Sequence, residues 1–182
     1  PTLVNGFVEP WLVAKGEGAD TLHDIDFLTY DAATGFFPAT NLYATSFGNA
    51  TDVVNVNGNF SIDEETQVFG LRMVNTEEQP AITLNADLKV GDGVHPAAVV
   101  LNYASPRGDK SLIVSGTGAI DFGTSEGIVW LGVQHTDARR YLNIGVPVKG
   151  SNGITFAAPY QTAGRAPIIN PQNDTVAGWT GP

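Results

Sequence analysis

The chain has 182 residues, 42% of them hydrophobic and 15% charged, with a formal net charge of −10 and no cysteine. That length suits one domain with its own core, and the lack of cysteine excludes a disulfide scaffold, a thiolate metal site and a cysteine nucleophile. The negative balance argues against nucleic acid, which needs clustered Lys and Arg, and no apolar run approaches the roughly 20 residues that span a bilayer, so membrane insertion is not expected.

Period-2 alternation of apolar and polar residues predicts strands from one end to the other. Strands are expected over 2–8, 10–14, 21–30 and 39–47. In the third of these, Leu22, Asp24, Asp26, Leu28 and Tyr30 share one face while Ile25 and Phe27 take the other. Asp31-Ala32-Ala33-Thr34-Gly35 then supplies a turn. Val54, Val56, Gly58, Phe60 and Ile62 alternate with Asn55, Asn57, Asn59 and Ser61, which predicts a strand there, followed by another over 66–75. The clearest run is Ile82 to Val90, apolar at every even position. Further strands are expected over 96–104, 111–116 and 127–136, at Leu142, Ile144, Val146 and Val148, and over 153–157.

Gly91-Asp92-Gly93, Pro106-Arg107-Gly108-Asp109 and Ser151-Asn152-Gly153 carry turn chemistry between these runs. Short strands joined this way predict an all-β domain over 1–157 with antiparallel order. An antiparallel β-barrel of lipocalin-like outline is expected, with a β-sandwich or jelly roll as the alternative. No repeat of fixed period is evident, which disfavours a propeller or solenoid. Residues 158–182 are rich in Pro and Gly and read as a C-terminal tail, docked through Ile168, Ile169 and Trp179 on the domain or on a neighbouring subunit of a homo-oligomer.

One stretch carries a family likeness. Val68-Phe69-Gly70-Leu71-Arg72, the strand leading to Gly91-Asp92-Gly93, Ala98-Val99-Val100-Leu101, and Leu112-Ile113-Val114-Ser115-Gly116-Thr117-Gly118 with Phe122 and Gly127 follow in order, with His23-Asp24-Ile25 upstream. This order resembles the dirigent and allene-oxide-cyclase-like barrels over about a third of the chain. The resemblance implies an eight-stranded barrel whose lumen holds a small, mostly apolar molecule and steers its cyclisation or coupling without a cofactor, by orienting a reactive conformer in a dry cavity. The same Gly116 and Gly118 are also what a tight bend between strands needs.

Four residues are candidates for chemistry. Asp24 and Asp26, if they face a lumen, would be desolvated and mutually repelling, which makes an acid and base pair; facing outward they are surface acids. Arg72 could balance a buried Asp or grip a ligand carboxylate through its planar fork, or extend outward over apolar neighbours. Tyr103, in line with Ala97, Val99 and Leu101, reads as core with its hydroxyl near a strand end, and as a candidate proton donor. Tyr30, Phe69, Trp130 and Trp179 are candidate ligand contacts, Trp130 reading first as core and Trp179 as exposed.

His23, His95 and His135 are not spaced as metal ligands, so no metal and no cofactor is expected. No Gly-X-Ser-X-Gly elbow is present. Arg107-Gly108-Asp109 spells an adhesion tripeptide that turn chemistry explains by itself. Asn49, Asn59 and Asn173 head glycosylation triplets, yet compartment stays open, leaning slightly to the cytoplasm over secretion.

Three functions follow. The first is a small-molecule-binding barrel acting as a cofactor-independent cyclase or isomerase on an apolar substrate. The second is a non-catalytic, lectin-like protein that binds carbohydrate, and the third is a structural or assembly subunit.

Overall fold

A computed structural model describes residues 1–10, 12–15, 25–75, 81–104, 110–134, 140–157 and 168–171. Every regular element among them is a strand. The first three, β1 (Val13–Lys15), β2 (Ile25–Asp31) and β3 (Gly35–Pro38), form an antiparallel sheet in the order β1-β2-β3. The expected turn at Asp31 closes the β2–β3 hairpin, with the Asp31 carboxylate accepting from the amides of Ala33 and Thr34 at 2.9 and 3.1 Å.

From Val53 onward the ladders are parallel, and they correct the antiparallel barrel, the sandwich and the jelly roll together. One sheet contains β4 (Val53–Asn57), β7 (Gly70–Asn75), β10 (Ala97–Ala104), β13 (Gly127–Gln134) and β16 (Ile154–Ala157). A second contains β5 (Phe60–Ile62), β8 (Ala81–Leu84), β11 (Lys110–Gly116), β14 (Arg140–Ile144) and β17 (Ile168–Pro171). The third contains β6 (Thr66–Val68), β9 (Leu88–Val90), β12 (Ile120–Asp121) and β15 (Val148–Lys149). The chain visits the three sheets in turn and returns one strand further along each time. This is a parallel solenoid, which the missing fixed period had disfavoured.

Two features of the sequence explain the difference. Several predicted strands are two strands joined by a corner: Ile82 to Val90 bends at Asn85-Ala86-Asp87, and Val54 to Ile62 bends at Gly58-Asn59. The inward residues Ile82, Leu84, Leu88 and Val90 keep an even spacing through the bend, so alternation passes through it unbroken. The coil length also varies. Phe60 pairs with Ile82, Ile82 with Val114, and Lys110 with Arg140, so equivalent positions recur at unequal intervals.

The corner between the second and third sheets is constant among the described residues, with three residues in each of four coils: 63–65, 85–87, 117–119 and 145–147. These corners stack through backbone hydrogen bonds, Asn85 N to Ile62 O at 2.8 Å, Gly118 N to Leu84 O at 2.7 Å and Gly145 N to Val114 O at 2.7 Å. Gly116, at φ +123°, and Gly118 lie so close to the coil below that a Cβ on either would run into the carbonyl of Leu84 or Ala86. The Gly-Thr-Gly of the family likeness is therefore corner chemistry in this fold.

Inside the coils, Val54, Leu71, Val99 and Val129 share one register position and Met73, Leu101 and Leu131 another. They meet Leu84, Leu112, Val114 and Ile144 from the second sheet and Leu88, Ile120 and Val148 from the third in one apolar core. A second core lies outside the first sheet, where Phe7, Ile25, Phe27 and Ala39 of the N-terminal layer cover Val53, Phe69, Ala98, Val100 and Ile128. The first sheet is thus covered on both faces over β4, β7, β10 and β13, as parallel strands usually are, while its edge strand β16 leaves Phe156 exposed. Residues ahead of β4 also cover outer edges of the coils, with Ala44 bridging to Val54 of the first sheet and the Phe47 ring centred 5.9 Å from that of Phe60 of the second.

Candidate functional site

Two of the four predicted catalytic residues meet. Arg72 projects from the outer face of the first sheet, and Asp26 comes from β2 in the layer above it. Their side chains are 9% and 7% exposed, and Arg72 Nε lies 2.8 Å from Asp26 Oδ1. The same Nε–H also points to Ile25 O at 3.0 Å, and an Nη1 proton goes to Asn55 Oδ1 at 2.9 Å. The guanidinium lies 5.5 Å from the Tyr43 ring centre, and the Tyr43 hydroxyl donates to Asp26 Oδ1 at 3.2 Å while accepting from Phe27 N at 3.0 Å. Burial, then the Asp26 carboxylate, push the Tyr43 phenol well above its ordinary range. Asn102 completes the group: its Oδ1 accepts from Ile25 N at 2.8 Å and its Nδ2 donates to Ile25 O at 2.9 Å.

The hydrogen bonds of these groups tie one part of the protein to another. The cluster is a polar clasp between the N-terminal layer and the solenoid, with the buried acid balanced by the buried base. Of the readings open for Arg72, partnership with an Asp is the one realised. Tyr43, Asn55 and Asn102 were not singled out by pattern, because a buried Asn on a strand face that elsewhere carries polar residues outward gives no signal of the layer that covers it.

The other candidates are scattered. Phe69 is buried in the outer core, and Trp130 is half-buried on the outer face of the first sheet with Nε1 donating to Pro10 O at 2.8 Å. Trp130, which its apolar run predicts to be core, packs partly buried against this outer core, facing away from the coils because Val129 and Leu131 take the inward positions. Tyr30 sits on the hairpin, its ring 5.1 Å from Phe36, which is 52% exposed. Tyr103 belongs to β10 by its backbone, and its side chain lies outside the described residues, as do Asp24, Trp179, Trp11, His23, His135 and the Arg107-Gly108-Asp109 tripeptide.

The lumen that the barrel reading required is filled. The space between Leu71, Leu84, Leu101, Val114, Ile120 and Val129 amounts to about 10 Å³ and has wholly apolar walls, at the lower limit for holding a water molecule.

A groove opens elsewhere, on the outer face of the third sheet. It has a volume of about 320 Å³ and lies between the Gly91-Asp92-Gly93 and Gly123-Thr124 corners, with Gln67, Lys89 and Asp121 along it. Gln67, Lys89, Asp121 and Lys149 are register partners on successive strands. Lys89 Nζ donates to Glu65 and Lys149 Nζ to Asp87, both at 2.8 Å, and these bonds raise the pKa of each lysine. At one end Asp92 accepts from the amides of Val94 and His95 at 2.9 and 2.8 Å and contacts His95 Nδ1 at 2.7 Å. Burial works to raise its pKa, but those bonds outweigh it and bring the carboxyl down to about 2. Each groove residue on the third sheet stands five positions after the last residue of a second-sheet strand, a spacing that becomes visible only once the constant corner is known.

Among the described residues no group of three His, Asp or Glu side chains is placed to hold a metal ion, and no helix is long and apolar enough to cross a membrane. Comparison with known proteins finds no family model, no curated relative and no solved structure that matches this chain.

Proposed function

We propose that this chain is a structural or assembly module, a stiff solenoid whose work is done by its outer surface. The observation that carries this reading is the interior: among the described residues the space enclosed by the coils is about 10 Å³ and apolar, too small for a substrate. A cyclase or isomerase that works by confining a reactive conformer depends on such a chamber. The one buried pair of opposite charges among the described residues, Asp26 and Arg72, is also engaged with its neighbours. Parallel coils stack aliphatic rows whose contacts reach only to the next coil, an arrangement suited to rigidity and to the display of a long face.

The test joins sedimentation analysis over a concentration series to mass-spectrometric profiling of a metabolite extract incubated with the protein. Self-association with an unchanged extract is expected. Conversion of any metabolite in molar excess over the protein would overturn the reading.

A further inference from the structure

We propose that the groove on the third sheet binds a neutral, polyhydroxylated ligand, one or two sugar rings in size. This goes beyond the structural role and does not depend on it.

Size is the first argument. About 320 Å³ lies within the range of small-molecule sites, roughly 300–1,000 Å³, and the groove opens to solvent along its length. Its floor is largely main chain, because Gly91, Gly93 and Gly123 put no side chain between the two corners, while the Phe122 side chain packs in the core beneath. Gly91 and Gly93 adopt φ of +104° and +80°, and a Cβ on Gly91 would meet Ala97 and Ser125 at 2.6 Å. The floor is therefore held low by packing beneath it.

Hydrogen-bonding capacity is the second. Asp121 uses Oδ1 to accept from Gly123 N at 2.8 Å, and Oδ2 accepts no hydrogen bond among the described residues. Gln67 uses its amide group to donate to Gly91 O at 3.0 Å, which fixes the side chain and leaves Oε1 as an acceptor. Lys89 has two further protons beyond the one given to Glu65. Thr124 donates to Gly93 O at 2.8 Å and keeps its acceptor lone pairs. Donors and acceptors thus alternate on neighbouring strands spaced by about 4.8 Å, close enough for one ring to reach both. A sugar hydroxyl both donates and accepts, so it suits a Lys and a carboxylate side by side.

Charge is the third. An anion would meet Asp92 and Asp121 on a chain of net charge −10, and a cation would meet Lys89 beside Asp121. A neutral ligand avoids both penalties while using the same fixed dipoles.

The experiment uses the full chain. Glucose, galactose, mannose, N-acetylglucosamine, maltose and cellobiose are screened by saturation-transfer NMR, and Kd is measured by titration for the native protein, Asp121→Asn, Gln67→Ala and, as a remote control, Asp31→Asn. Asp121→Asn keeps an oxygen for Gly123 N but loses the charge, and Kd should rise about tenfold, while Asp31→Asn should leave it unchanged. If circular dichroism shows Asp121→Asn to be unfolded, Gln67→Ala decides in its place, with a rise in Kd expected. The proposal is overturned if no sugar binds saturably, if neither groove variant shifts Kd, or if Ca²⁺ or glucuronate binds more tightly than every neutral sugar.

Discussion

Replacing Arg72 by Met tests whether the Asp26–Arg72 pair is a clasp. Met approximates the aliphatic stem of Arg and removes the guanidinium. Ile25 O would still receive Asn102 Nδ2 at 2.9 Å, but Asp26 would be left with the Tyr43 hydroxyl at 3.2 Å as its remaining side-chain partner, and Asn55 Oδ1 would lose its donor. With the carboxylate 7% exposed, the main cost is that of an uncompensated buried charge, about 3–5 kcal/mol. Adding Asp26→Leu removes that charge, and the double variant should recover to within about 1 kcal/mol of the native protein. Urea unfolding followed by circular dichroism gives the totals. Amide exchange at Ile25 and Phe27, whose N–H groups are held by Asn102 and Tyr43, reports whether the N-terminal layer lifts first. A cost below about 1 kcal/mol for Arg72→Met, or a double variant no better than the single one, would refute the argument.

Gly116→Ala should destabilise by at least about 3 kcal/mol, since it combines a positive φ with a carbonyl in the way, whereas Gly153→Ala, at φ +83° with open space around it, should cost about 1 kcal/mol. Equal losses on thermal or urea unfolding would show that corner stacking does not decide the Gly116 position. The pKa of Asp92 in the folded chain is about 2 against an ordinary 3.8, so its contribution to stability is complete above pH 3.8 and disappears as pH falls towards 2. Urea midpoints measured across that window should decline less steeply in Asp92→Asn than in the native chain, and parallel curves would dismiss the effect.

How much of this was legible in the chain itself differs between fold and site. The alternation at Ile82 to Val90 and around Val54 identified extended segments with one apolar face, and nearly all those positions are strands. Alternation is the same in parallel and antiparallel strands, so it carried no information on which strands pair. It even concealed the corners, because Leu84 and Leu88 both point inward on either side of the bend. In the clasp, Asp26 and Arg72 could be singled out as charges among apolar neighbours, and the possibility that they balance one another could be stated. Their meeting across 46 positions of sequence could not, since it depends on where the N-terminal layer lies over the first sheet.

Local chemistry by itself therefore determined that the chain is built of short strands, where the Asp31 hairpin turns, and that no cysteine chemistry is available, because these follow from the side chains and their nearest neighbours. Tertiary structure alone decided that successive strands run parallel, that the interior is closed and that Gln67, Lys89 and Asp121 share one groove. Each of those outcomes depends on contacts between residues a full coil apart, and the uneven coil lengths leave no regular interval by which the sequence could announce them.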